Sequence, residues 1–252
     1  CTYGLKGRAI GYDLETYPGL DPWHPDARIR MAVISDQVGR AWVVQATPDS
    51  RFPSWVYALI EDPSIVKAGS NIKFDYKWHK RFGHEIVNMW DTSTAEHVID
   101  CTNPKKDLKS LTFKYVPKLG DYSKAHRDLV RERGGWEFVE DDEQYDYCGA
   151  DGEASIGTQY GQERAIRNMG LQQPWSLMRD LYPVLAEMEH NGSAIDMDVN
   201  RHLDELYSEK LARLREQITQ HLGPININSP KQLAEALQKA VPGINLSKRD
   251  WA

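Results

Sequence analysis

The sequence predicts an α/β domain, a mixed sheet flanked by helices, followed by an all-helical C-terminal segment. Three observations carry this. Strand-like runs follow one another directly up to about residue 45, then alternate with helix-like runs to about residue 100. From about residue 106 onward strand patterns vanish, and the chain reads as helical to its end.

Taken in order, "RAIGYDLET", "RIRMAVISD" and "RAWVVQ" are three strand patterns, separated by the turn-forming "YPGLDPWHPD" and "QVGR". A helix "SWVYALIED" precedes a short strand "IVKAGS". A helix "IKFDYKWHKRFG", a strand "EIVNMWD" and a helix "TSTAEHVID" complete the α/β part. "QQPWS" (172–176) marks the expected domain boundary, giving units 1–174 and 175–252. Beyond it, "LMRDLYPVLAEMEHNG" is a helix stopped by Asn-Gly. A long helix over about 198–222 sets Val199, Leu203, Leu206, Tyr207, Leu211, Leu214, Ile218 and Leu222 on one stripe. In "NSPKQLAEAL", Ser229 is placed to cap a further helix, with Pro230 at its first position.

The 252 residues are 40% hydrophobic, enough for a real core, and no stretch is apolar enough to span a bilayer. No secretory signal is visible, and a chain starting at Cys1 rather than Met is expected to be a fragment or a processed product. Three cysteines without CxxC spacing argue against a disulfide framework or a structural zinc site and for a reducing, cytoplasmic setting. The net charge of −6 lacks the basic footprint of a typical nucleic-acid binder. Local basic stretches do occur in "KKDLKSLTFKYVPK" (105–118) and "KAHRDLVRER" (124–133), and pattern alone reads them as solvated helix faces. The histidines are scattered without ligand spacing. Trp23, Trp78 and Trp136 are candidates to stack on unpaired bases, with core packing the default for most tryptophans.

Candidate chemistry begins at "IGYDLETYPG" (10–19). Side chains two apart on a strand share a face, so Asp13 and Glu15 sit together at the end of an apolar run. Two carboxylates held that close repel unless they are solvated or something positive lies between them. In "NIKFD" (71–75), Asn71 is placed as a helix N-cap and Asp75 one turn on, where an acid also complements the helix dipole. In "YDYCGADGEAS" (145–155), Tyr147 and Asp151 are four apart on one helix face. Gly149 and Gly152 interrupt that helix, at about 1 kcal/mol each relative to alanine, which points to close approach of a backbone or ligand.

These three stretches, in this order, resemble the three motifs of the DEDD superfamily of 3′→5′ exonucleases, on a ribonuclease H-like fold. The resemblance covers about 1–170. The histidine subclass carries His five residues before the last Asp; Asp146 stands there, so the tyrosine subclass fits. The resemblance implies two divalent cations, Mg²⁺ or Mn²⁺, filling the gap between the carboxylates. It implies that Asp13, Glu15 and Asp151 hold the ion that activates water, that Asp13 bridges to a second ion with help from Asp75, and that Tyr147 orients the water. Matched to the same motifs, Thr16 and Asn71 help place the 3′-terminal nucleotide. Leu20 is the candidate wedge against the terminal base, although "YPGL" is one residue longer than the family pattern. The product is a 5′-mononucleotide.

"VLAEMEHNGSAID", the long helix and "NINSPKQLAEAL" resemble the junction from exonuclease into thumb in family A DNA polymerases of the bacterial DNA polymerase I type. The implied function is proofreading in DNA replication. The implied partners are a single-stranded DNA 3′ end or frayed primer terminus and the polymerase domain of a parent chain, with no membrane. "DYSKAHR" (121–127) looks like the opening of a polymerase motif but precedes the third exonuclease motif, so Asp121 is read as no polymerase ligand. The rivals are a free-standing exonuclease of the ribonuclease D or Werner type and a catalytically silent nucleic-acid-binding domain of the same fold. A nucleotide-binding domain without nuclease activity has no glycine-rich phosphate loop to support it.

Overall fold

The computed structural model describes residues 8–17 and 20–244. The five strands are β1 (Ala9–Thr16), β2 (Ile29–Gln37), β3 (Arg40–Gln45), β4 (Val66–Gly69) and β5 (Met89–Asp91). They form one mixed sheet in the order β3-β2-β1-β4-β5. The β1–β2 and β2–β3 pairs are antiparallel, whereas β1–β4 and β4–β5 are parallel. The predicted strand at 85–91 is present only as β5, because Asn88 adopts a left-handed conformation (φ 56°) that breaks the extended run.

Helices α1 (Ser54–Ile60), α2 (Lys73–Arg81), α3 (Thr92–Ile99), α4 (Leu108–Tyr115), α5 (Ser123–Arg133), α6 (Tyr145–Asn168) and α7 (Gln172–Asn191) surround the sheet. β1 explains the layering. Its even residues Ile10, Tyr12 and Leu14 enter the main core with Val56 and Leu59 of α1, Tyr76 and Trp78 of α2, and Tyr182 and Ala186 of α7. Within that core the Tyr12 hydroxyl lies 2.6 Å from His79 Nε2, and burial drives the His79 pKa down to about 3, so the ring is neutral. The odd residues of β1 face α6. There Gly11 meets the helix backbone: a Cβ on Gly11 would lie 2.0 Å from the Gly152 carbonyl oxygen. A Cβ on Gly152 would come to 3.0 Å from Val33 Cγ2 on β2. Gly152 therefore serves the close approach expected of it. Gly149 does not, since a Cβ there meets only Ala41 Cβ at 3.6 Å.

The first compact unit runs to Gly192, past the boundary expected at 174/175. The physical reason is α7. It starts at Gln172, so Pro174 falls in the first turn, where no backbone N–H is needed, and breaks nothing. The helix then docks on the sheet domain, with Trp175 packed at a tilt against Trp90 (ring centroids 4.3 Å apart) and Tyr182 and Ala186 buried.

The second unit, 193–252, contains α8 (Met197–Leu222) and α9 (Pro230–Ala240). Asp196 caps α8 by accepting from the N–H groups of Asp198 and Val199, and Ser229 caps α9 by accepting from Gln232 N–H, with Pro230 at the first position as expected. Leu203, Leu206, Tyr207, Leu211 and Leu214 of the predicted stripe are exposed. Among the described residues, no helix is long and apolar enough to cross a membrane.

Candidate active site

The strand period and the helix period meet where β1 passes α6. Asp13 and Glu15 follow Gly11 on the α6 face of β1, opposite Val33 and Met31 of β2. One turn of α6 before the Gly152 contact lies Cys148. It is buried, with Sγ 3.5 Å from Glu15 Oε1 and 3.6 Å from Met31 Sδ, and it is free, as is Cys101. The Gly11–Gly152 approach draws Asp151 against the strand, so that one oxygen from each of Asp13, Glu15 and Asp151 lies within 4.8 Å of the others.

Asp75 approaches from the opposite side. β1 pairs with β4 only as far as Gly11, which leaves the Leu14 N–H open on that edge, and Asp75 Oδ1 accepts from it at 2.7 Å. Asp75 lies in the first turn of α2, as predicted, but is not one of the three that converge. Asn71 is not the helix cap: it is exposed in a left-handed conformation (φ 56°), and its carbonyl accepts from Phe74 N–H at 2.8 Å. The open α2 terminus is instead tied to Asp91, which accepts from Ile72 N–H while capping α3 through Thr94 N–H. Thr16 is half-buried at the end of β1, just past an irregularity in the β1–β2 register. Leu20 is half-buried against the main core.

Burial raises the pKa of all three strand- and α2-borne carboxylates. Asp13 is pushed well above the usual carboxylate range by desolvation, then by the charges of Asp75 and Glu15. Glu15 is raised to about 7 by desolvation and the charge of Asp151, opposed by Cys148, Lys109 and Arg30. Asp75 is raised by desolvation, opposed by the Leu14 N–H. Tyr147 on α6 is pushed far above the ordinary phenol range by burial and the Asp151 charge, so it stays protonated.

Several residues outside the three motifs surround this cluster. The Lys109 ammonium on α4 pairs with Asp151 Oδ1 and donates to the hydroxyls of Tyr122 (3.0 Å) and Tyr147 (3.2 Å). Tyr122, from the "DYSKAHR" stretch, donates to the same Asp151 oxygen, whereas Asp121 pairs with Arg127. His126 stacks on Tyr147 with ring centroids 4.1 Å apart, and Trp136 meets Tyr147 edge-on at 5.9 Å. The segment carrying Trp136 is anchored by Arg30, whose guanidinium binds Asp141 and the Val139 carbonyl. Two of the five lysines in 105–118 are therefore not a solvated face: Lys109 pairs with Asp151, and Lys114 bonds the fully buried Glu96 at 2.6 Å. Of the tryptophans considered as base platforms, Trp78 is fully buried, Trp23 is half exposed and Trp136 belongs to the Tyr147 cluster.

A mixed sheet in this order, with helices on both faces and clustered carboxylates where β1 meets α6, defines an exonuclease fold of the ribonuclease H-like type. Residues 1–158 match the family model described as 3′-5′ exonuclease, and the chain belongs to that family. Among curated relatives, DNA polymerase I of Rhizobium leguminosarum is 29% identical over 185 residues, covering 71% of this chain and 18% of the relative. DNA polymerase I of Pseudomonas aeruginosa is 25% identical over 242 residues, covering 92% of this chain and 25% of the relative. The chain thus spans a quarter or less of the length of these two relatives. Among solved structures, Brucella melitensis NrnC with bound Mg²⁺ superposes with a TM-score of 0.60 at 20% identity, covering 77% of this chain and 92% of that one. Pol1 from M. smegmatis, in complex with DNA primer-template and dNTP, gives 0.60 at 19% identity, covering 98% of this chain and 40% of that one. These likenesses show the fold.

Proposed function

We propose that this chain removes 5′-mononucleotides from DNA 3′ ends by metal-dependent phosphodiester hydrolysis, as the proofreading part of a family A DNA polymerase. The observation that carries it is the convergence of Asp13, Glu15 and Asp151 within 4.8 Å, with Tyr147 one helical turn from Asp151. The donors fit a hard divalent cation: they are all carboxylate oxygens, burial disfavours the charge of Asp13 and Glu15, and a cationic side chain already sits on Asp151. Asp13, Glu15 and Asp151 would hold one ion, and Asp13 a second with support from Asp75. Such ions supply Lewis acidity for water activation and for the departing oxygen.

The chain's own residues supply position. Tyr147 keeps its proton at neutral pH and acts as a hydrogen-bonding guide for the attacking water, not as the base. The His126 stack and the Trp136 edge hold its ring. Asp75 pins the end of β1 through the Leu14 N–H and so sets where Asp13 and Glu15 project. Thr16, Leu20 and Asn71 lie at or beyond the ends of β1 and β4, where a 3′-terminal nucleotide would rest.

The polymerase setting is supported by the two DNA polymerase I relatives and by α8 and α9, which follow the exonuclease unit as the start of a thumb would. The test is a 5′-labelled single-stranded DNA oligonucleotide incubated with Mg²⁺ or Mn²⁺, with EDTA as control. A ladder shortening from the 3′ end, lost in EDTA, is expected. An intact oligonucleotide with every metal, from folded protein, would support the silent-domain reading. The free-standing reading draws on NrnC, solved bound to pGG, and predicts that pGG is cleaved in preference to the longer strand when both are offered.

A further inference from the structure

Lys109 is a cation in direct contact with one of the converging carboxylates, Asp151. Its ammonium sits on Asp151 Oδ1, which also accepts from Tyr122, and lies 4.7 Å and 4.6 Å from the ring centroids of Tyr122 and Tyr147. The Asp151 side chain is 4% exposed and that of Lys109 33% exposed. The carboxylate is therefore fixed and enclosed, while the lysine reaches it on a flexible stem from the solvent side. A divalent ion bound by Asp13, Glu15 and Asp151 and an ammonium on the same Asp151 carboxylate would be like charges within a few ångströms, with little water between them to screen the repulsion.

We propose that Lys109 is a resident counter-cation: it neutralises Asp151 in the metal-free protein and is displaced when the metal enters, so that metal binding is an exchange of cations. This rests on the reading of the three carboxylates as the metal site. Two consequences separate it from a lysine that merely orients Asp151 as a ligand. Removing the ammonium removes the competitor, so affinity for the metal rises; an orienting lysine would make it fall. Displacement also frees the amine, so its chemical reactivity rises on metal binding; an orienting lysine would stay protected.

The experiment uses the whole chain. Mn²⁺ binding is measured by electron paramagnetic resonance for wild type and Lys109→Met, with the substrate absent. In parallel, wild-type lysines are acylated with and without Ca²⁺, and Lys109 labelling is read by mass spectrometry. The expected result is Mn²⁺ binding about fivefold to tenfold tighter in the variant, from loss of one nearby positive charge, together with a severalfold rise in Lys109 labelling with Ca²⁺. Unchanged or weaker Mn²⁺ affinity in folded Lys109→Met, or unchanged Lys109 labelling in the wild type, overturns the proposal. The labelling arm stands even if the variant does not fold. Absence of Mn²⁺ binding to the wild type is a separate result that overturns the metal reading and this proposal with it.

Discussion

Metal affinity should depend on pH through Glu15. Its carboxyl is raised to about 7, first by burial and then by the Asp151 charge, so the metal-free protein holds a proton there below neutral pH and loses it as pH rises through about 7. A cation can bind only the ionised form and must displace that proton. With a pKa of about 7, roughly one-tenth of Glu15 is ionised at pH 6 and roughly nine-tenths at pH 8, so affinity should rise about tenfold over that window. Asp13 is pushed in the same direction, which steepens the dependence. The sign for stability follows. A raised carboxyl pKa favours the fold below the unfolded-state value, and that contribution is lost as pH rises through about 7. Metal-free protein should therefore melt lower at pH 8 than at pH 6, and Mn²⁺ should restore more at pH 8. The assay is Mn²⁺ titration at pH 6, 7 and 8 at fixed ionic strength, with calorimetry in two buffers of different ionisation enthalpy to count protons released. A dissociation constant flat across the window, with no proton release at pH 6, would refute the assignment of Glu15 as a buried ligand.

Replacing both Asp13 and Glu15 with Ala should abolish cleavage while leaving the circular dichroism spectrum unchanged, and metal-free melting should not fall, because buried like charges are removed; full residual cleavage would place the metal elsewhere. Tyr147→Phe should lower kcat by about 10²-fold, within the usual range for a positioned proton-bearing group, with Mn²⁺ affinity unchanged in the same titration. Gly11→Ala places a Cβ 2.0 Å from the Gly152 carbonyl oxygen; overpacking there should cost about 1–3 kcal/mol or more, read as a lowered midpoint in urea. A midpoint equal to wild type would mean that α6 lifts freely from β1, and the close approach would then not be what gathers the carboxylates.

That approach explains which parts of the site were legible in the sequence. Asp13 with Glu15, and Tyr147 with Asp151, are pairs whose spacing matches the period of one element, and each pair shares a face in the structure. Glycine at 152 was legible as a close contact because a helix seldom carries one without cause. Asn71 misled because the sequence cannot distinguish an N-cap from a left-handed residue two positions before the helix; asparagine suits both. Lys109, Tyr122, His126 and Trp136 were opaque for a different reason. They lie on α4, α5 and the segments around them, and nothing local specifies which of their side chains face α6. Their placement depends on tertiary ties such as Arg30 to Asp141, more than a hundred residues apart in the chain.

The same division bears on how the site works. Carboxylates set by strand and helix periods are held by backbone geometry, through the Gly11–Gly152 contact and the Asp75 bond to Leu14. Their spacing can survive loss of the cation between them, because the backbone bears the repulsion. Lys109, His126 and Trp136 reach the site through their side chains alone, from α4, α5 and the segment after α5, so those side chains are the parts that can respond when a metal or a strand end arrives. A change at Gly11 should therefore disturb ligand spacing and stability together, whereas a change at Lys109 should alter metal affinity with the frame intact.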